Sequence, residues 1–173
     1  MSVDGFIAGP NDEMDWVFEY AGDVPAELVD EVIATTGAIL GGRRGYEVGR
    51  RAERPETSKP FGGRWQGPIF VLTHNAPDDE TDPDYTFLSG DVREAVATAS
   101  SAAQGRNVLV LGANVVGQCL AAGVLDEILI HVVPVLLGAG VPLFSEPAVA
   151  ATLETLDATR SGQVANLRYR VVK

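Results

Sequence analysis

Two stretches of the sequence place glycine where a short apolar run gives way to a helix-forming run: Leu40-Gly41-Gly42-Arg43-Arg44-Gly45 and Leu111-Gly112-Ala113-Asn114. At such a junction the first N–H groups of the helix lack intrahelical partners. The helix dipole adds partial positive charge there, so the junction favours an anion. Glycine lets a phosphate come close to the backbone, and Arg43 and Arg44 can add bidentate hydrogen bonds. Together the two junctions can hold the two ends of one pyrophosphate. The same residues also fit plain turns and solvated arginines. Neither junction reads G-x-G-x-x-G, so a Rossmann dinucleotide site is not indicated.

Other chemistry-bearing residues are sparse. Thr73 and His74 end an apolar run at the same expected sheet edge, where His74 can meet an adenosine phosphate or only solvent. His131 lies in mid-strand and reads as a satisfied core residue. Cys119 is the only cysteine; it sits with Val116 and Leu120 and reads as packing. Asp4 is the candidate for orienting substrate or relaying a proton, and it also fits a turn-capping carboxylate before Gly5. Trp16 can wall a pocket or pack in a core. The basic group Arg50, Arg51, Arg54 and Lys59 fits a solvated surface or a phosphorylated substrate. The histidines and the cysteine form no metal set, and no G-x-S-x-G elbow is present. The acidic run Asp78, Asp79, Glu80, Asp82 and Asp84 lacks EF-hand spacing and reads as a solvated loop.

The elements that would position these residues alternate between strand and helix, which points to one α/β domain over 1–173. A loop spans Asp4–Asp15. Pro25 opens a helix to about Thr35, with Leu28, Val29, Val32 and Ile33 on one face. Ala38–Leu40 is a buried strand, followed by a short helix around Tyr46–Arg51. Glu53–Pro68 is a polar loop. Strands follow at Ile69–Thr73 and Tyr85–Leu88. Asp91 caps a helix to about Ala103. Val108–Leu111 reads as a strand covered on both faces, a helix runs from Val115 to Ala122, and Ile128–Val135 is a long strand. Leu153–Thr159 and Val164–Val172 form a closing antiparallel pair. Almost no strand precedes the first loop, so the N-terminal strand is expected to be truncated.

Composition sets the outer limits. The 173 residues carry a net charge of −11, and 46% are apolar. That suffices for one core, and the acidity argues against nucleic acid as a partner. No apolar run approaches a membrane span, and no signal peptide is apparent. One cysteine fits a reducing cytoplasm.

On these residues the chain resembles a known family. Ser2-Val3-Asp4-Gly5-Phe6-Ile7-Ala8-Gly9 is similar to the S-L-D-G-x-I-A signature of the riboflavin-biosynthesis reductase C-terminal domain family, whose fold is like that of dihydrofolate reductase. Ile39 to Glu47 resembles its G-R-x-T-Y-E segment. The longest match is LGANVVGQCLAAGVLDEILIHVVPVLLGAGVPLF, ending at Phe144. The resemblance implies a three-layer α/β fold: a mostly parallel central sheet, a C-terminal antiparallel pair and helices on both faces. It implies NADPH-dependent hydride transfer to a heterocyclic or imine-like substrate, the prototype being 5-amino-6-(5-phosphoribosylamino)uracil. The nicotinamide carboxamide would rest on the backbone of Ile7 and Ala8. Gly42, Arg43 and Arg44 would hold phosphate, Thr73 and His74 would lie by the adenosine, and Gly112, Ala113, Asn114, Val115 and Val116 would cradle the pyrophosphate. The substrate would sit between the Asp4–Trp16 loop and the first helix, near Trp16 and Glu27. A homodimer through the late strands is also implied.

Departures from the family pattern keep other readings open. Ala113 stands for a second glycine, and Gly45 for a threonine. Folate reductases place a carboxylate on the first helix; the matching position here is Ala26. Glu27, one residue on, points about 100° around the helix. A non-catalytic dinucleotide-binding or dimeric scaffold, and a dihydrofolate reductase, are the alternatives.

Overall fold

The computed structural model describes residues 1–51, 59–77, 82–144 and 149–173. Arg54 and the acidic residues Asp78, Asp79 and Glu80 lie outside the described residues.

The centre is a four-stranded parallel sheet in the order β4-β3-β2-β5. Its strands are β2 (Thr36–Gly42), β3 (Ile69–Leu72), β4 (Tyr85–Leu88) and β5 (Asn107–Leu111). Leu40 lies opposite Phe70 on one side and Val110 on the other. This register brings the C-terminal ends of β2, β3 and β5 to one edge of the sheet. Ala38 and Leu40 point into the main core with Phe70, and Ile39 and Val71 are buried on the opposite face. That period-two division is why the strand reads as continuously apolar.

Helices α4 (Val92–Ala102) and α5 (Ala113–Ala121) cover the main core through Ala95, Ala99, Val115 and Cys119. Asp91 caps α4 by accepting from the Arg93 N–H at 2.7 Å, as the sequence predicts. Helix α2 (Ala26–Thr35) follows Pro25, and α3 (Arg43–Arg51) starts as soon as β2 ends. Arg168 reaches from the C-terminal sheet to Glu31 on α2 at 2.8 Å.

The C-terminal antiparallel sheet has three strands, β6 (Glu127–Val132), β8 (Leu153–Ser161) and β9 (Val164–Val171), in the order β6-β9-β8. The expected antiparallel pair is present, with β6 added beside it. Most boundaries fall within a residue or two of expectation; α3 and β6 differ by three at one end, α3 starting at Arg43 and β6 ending at Val132.

The largest difference lies in the segment expected to be loop. Phe6–Ala8 is a strand, β1, paired antiparallel with β7 (Val141–Pro142), and Asp15–Phe18 is a single helical turn, α1. Gly140 makes the pairing possible: at φ 143°, a Cβ there would stand 2.1 Å from the Ala8 carbonyl oxygen. The partner strand lies far away in sequence, so local composition showed only the glycines and prolines. A second difference concerns β5. Its residues 108–110 are only half-buried, against near-complete burial of β2.

Candidate functional site

A cavity of about 930 Å³ opens where β2, β3 and β5 end. Five segments wall it: 7–12 with Met14, 42–45 with Val48, 72–74 with Gly90, 111–115 with Gln118, and 139–142. A volume of this size suits a ligand of cofactor dimensions.

Both glycine junctions open into this space. Gly112 precedes α5 with φ 92° and ψ 133°, a conformation reserved for glycine. No side chain caps α5, so its leading N–H groups are left for water or a ligand. Gly42 lies against α5: a Cβ there would stand 3.2 Å from Val115 Cγ2. The missing side chain is thus what lets the two junctions approach one another.

Two arginines stand beside these glycines although the chain as a whole is acidic, and each is paired with a carboxylate. Arg43 is held in place: its Nε donates to Glu47 at 2.7 Å and its Nη1 to the Asn75 carbonyl. That second bond docks the start of α3 onto the turn after β3. Thr73 Oγ1 closes the same turn, accepting from the Asn75 N–H at 3.2 Å. His74 is exposed on the lining. Arg44 pairs with Asp12 across the mouth. Gln118 donates to Asn114 at 2.7 Å, which orients both amides on the first turns of α5.

Of the residues expected to form a site, Ile7, Ala8, Gly42, Arg43, Arg44, Thr73, His74, Gly112, Ala113, Asn114 and Val115 all line this cavity. Val116 does not; it packs against the main core. Trp16 is also off the lining, its Nε1 donating to the Glu13 carbonyl at 3.1 Å. Glu27 is exposed on α2, away from the cavity. Asp4 is engaged elsewhere. Its carboxylate accepts from Ser2 Oγ at 2.6 Å, from the Gly138 N–H at 2.7 Å and from the Leu137 N–H at 3.1 Å. The Ser2 hydrogen bond, followed by that of Gly138, lowers its pKa below the usual value. This geometry is that of a loop anchor, the turn-capping alternative. His131 Nδ1 lies 2.7 Å from Asn166 Oδ1, as a satisfied interior histidine should.

Sequence reasoning assigned no role to Met14, Asp12, Gln118 or the 139–142 wall. The last of these carried a visible signal, the Gly138-Ala139-Gly140-Val141-Pro142 run; Asp12 and Met14 lie in the segment after β1 and Gln118 on helix α5, and only the fold sets which way they face.

Residues 1–167 match the family described as the RibD C-terminal domain. The chain belongs to that family. Among curated proteins, the uncharacterized protein YwjB of Bacillus subtilis (strain 168) is 28% identical over 170 residues, covering 98% of this chain and 92% of its own length. YyaP of the same organism is 26% identical over 155 residues, covering 83% and 76%. Solved structures share the fold. A protein from Shewanella sp. PV-4 whose proposed role is riboflavin biosynthesis superposes with a TM-score of 0.76 at 21% identity, over 100% of this chain and 96% of that one. A pyrimidine reductase-like protein from Corynebacterium diphtheriae gives 0.66 at 13% identity, over 100% and 89%. A deaminase/5-amino-6-(5-phosphoribosylamino)uracil reductase from Thermotoga maritima gives 0.66 at 14% identity, and this chain spans 54% of it. These likenesses support the expected α/β fold with its parallel centre and antiparallel C-terminal strands, that of RibD C-terminal, dihydrofolate reductase-like domains. Family membership makes this a reductase-type domain.

Proposed function

We propose that the chain is an NADPH-dependent reductase that passes hydride to a heterocyclic or imine-like small molecule. The observation that carries this reading is the meeting of Gly42 and Gly112 in one cavity with the Ile7–Ala8 backbone. The residues fit the cofactor: an uncapped helix start, a glycine whose Cβ would crowd Val115, and two arginines on the facing helix. When bound, NADPH supplies the hydride.

The N–H groups of Gly112, Ala113 and Asn114 would take the pyrophosphate, with the dipole of α5 favouring its charge. Arg43 and Arg44 would pair with phosphate from the α3 side, beside Thr73 and His74. Ile7 and Ala8 would hold the carboxamide through their backbone, with Met14 and Pro142 excluding water from the transfer path. Asp4 is anchored to the 137–138 turn, so the proton that accompanies the hydride would come from solvent through the mouth. Folate reduction finds no support, because Ala26 and Glu27 contribute no carboxylate to the cavity.

Titration with NADPH and NADH, followed by ligand fluorescence, tests the reading. Saturable binding of NADPH, weakened by Arg43→Ala or Arg44→Ala, is expected, followed by NADPH oxidation on adding a heterocyclic or imine substrate. Absence of saturable binding by either nucleotide would overturn it.

A further inference from the structure

Charge is divided unevenly over the cavity. Among the described residues three charged side chains line it: Arg43, Arg44 and Asp12. Both cations belong to the first turn of α3, beside Gly42. The wall made by residues 7–14 and 139–142 brings no cation to the lining. It is apolar at Ile7, Ala8, Pro10, Met14, Val141 and Pro142, and Asp12 is the charged group it contributes. Arg50, Arg51 and Lys59, the described members of the basic group that could have met a phosphorylated substrate, stay off the lining. Arg51 lies instead 3.7 Å from Glu47.

Asp12 and Arg44 differ in how far they are covered. The Asp12 side chain is 19% exposed and that of Arg44 64%. The turn that contains Asp12 is closed by the Gly9 N–H, which donates to the Glu13 carbonyl at 2.8 Å. Among the described residues Arg44 is the hydrogen-bond partner of the Asp12 carboxylate. Once a cofactor phosphate holds Arg44, Asp12 is left as a mostly covered carboxylate without a partner. That state is unfavourable unless another donor replaces the guanidinium.

We propose that Asp12 selects the substrate: the wall from Ile7 to Met14 takes a neutral heterocycle that donates a ring N–H to the Asp12 carboxylate and bears no phosphate. This rests on the cofactor reading above, in which phosphate occupies Arg44. The ring N–H supplies a charge-assisted hydrogen bond, and Met14, Val141 and Pro142 offer apolar cover to the ring. A phosphate on the same molecule meets like charge at Asp12 and finds no free guanidinium on this wall. The Thermotoga maritima neighbour is named for reduction of 5-amino-6-(5-phosphoribosylamino)uracil, a phosphorylated compound; the charge on this wall disfavours such a substrate here. Cofactor and substrate binding are also coupled. The cofactor draws Arg44 away from Asp12, and the substrate then satisfies the carboxylate, so each favours the other.

Calorimetric titration tests this in two stages. NADP⁺ is titrated first; it carries the phosphates but no hydride to give, so later ligands are read without turnover. Two matched pairs are then titrated into the NADP⁺-saturated protein. Lumazine has ring N–H groups that 1,3-dimethyllumazine lacks, and 5-amino-6-(ribosylamino)uracil differs from its 5-phosphate by the phosphate alone. The N–H form of the first pair and the unphosphorylated form of the second are each expected to bind about tenfold more tightly than their partners. Lumazine is expected to bind the free protein more weakly than the NADP⁺ complex. Asp12→Asn, which tolerates the positive φ of this position, is expected to keep NADP⁺ binding and to reduce both preferences to about threefold or less. A role for Asp12 in shaping the turn alone would not move these ratios. Lumazine binding no tighter than its dimethyl form overturns the proposal. So does the phosphorylated uracil binding as well as its parent, and so do preferences that survive Asp12→Asn. Each of these outcomes leaves the cofactor reading standing where NADP⁺ binds, whereas absence of NADP⁺ binding overturns both.

Discussion

Arg44 Nε lies 2.5 Å from Asp12 Oδ1, an ion pair that ties the first turn of α3 to the loop after β1. Both residues line the cavity. Asn11 and Asp12 hold φ values of 60° and 67°, uncommon for residues other than glycine. The guanidinium that fastens this strained turn is therefore one that a bound phosphate would also claim. On the proposed reading, Asp12 and the cofactor phosphate would compete for Arg44.

Opposite outcomes are expected from the two halves of that pair. Asp12→Asn should tighten NADPH binding a few-fold by freeing Arg44. Arg44→Ala should weaken it by about tenfold, the scale of one lost charge-assisted hydrogen bond. Neither should cost more than about 1 kcal/mol of stability, since Arg44 is largely exposed. Fluorescence titration and urea melts read both quantities. Equal weakening by the two substitutions would show that the pair shapes the site rather than competes for it.

Gly112→Ala should harm fold and binding together. The methyl group meets nothing within 4 Å, so space is not the obstacle; the backbone at φ 92° is. A loss of about 1–3 kcal/mol is expected, with NADPH affinity falling as the N–H groups of α5 rotate away. Gly117→Ala, inside α5 with open space around it, is the control and should gain about 0.5–1 kcal/mol.

Asp4 predicts an acid-sensitive anchor rather than a catalytic carboxylate. Its pKa in the folded protein is below the ordinary 3.8, chiefly through the Ser2 Oγ hydrogen bond and then the Gly138 N–H. A carboxylate shifted in this direction stabilises the fold above its unfolded pKa, and that contribution is lost as pH falls through the folded value. Asp4→Asn should therefore lower the melting temperature at pH 7 and flatten its decline below pH 4. NADPH binding by the refolded variant should stay close to that of the parent. A variant that melts normally but no longer turns over would return Asp4 to a chemical role.

Cys119 should be inert in the native protein. It is fully buried, and desolvation pushes its thiol up to about 11, so almost no thiolate exists at neutral pH. A thiol reagent at pH 8 should label it only as fast as the protein unfolds, and labelling should track urea concentration. Rapid labelling in buffer would mean that the core around α5 opens locally.

Much of the architecture was legible in the residues. Apolar runs at 38–40, 69–73 and 108–111 marked strands because a buried strand needs no alternation, although 108–110 proves only half-buried. Asp91 and Pro25 marked helix starts through their local hydrogen bonding and fixed φ. The glycine junctions at 42 and 112 could be singled out because a backbone that must approach an anion excludes side chains. What could not be read was direction. Glu27 and Val116 sit on expected helices, yet neither lines the cavity, because a shift of one residue rotates a helical side chain by about 100°; Trp16 was expected at the end of a loop and lies on a helical turn, also off the lining.

Local propensity and periodicity act over a few residues, so the chain by itself settled its class, most of its strands and helices, and the two glycine-marked strand-to-helix turns. Long-range pairing settled the rest. Only the fold could set Phe6–Ala8 against Val141–Pro142, turn Asp4 into the anchor of the 137–138 turn, and bring Arg44 to Asp12. Those contacts join segments far apart in sequence, and their free energy comes from burial and hydrogen bonds that exist only once both partners are in place.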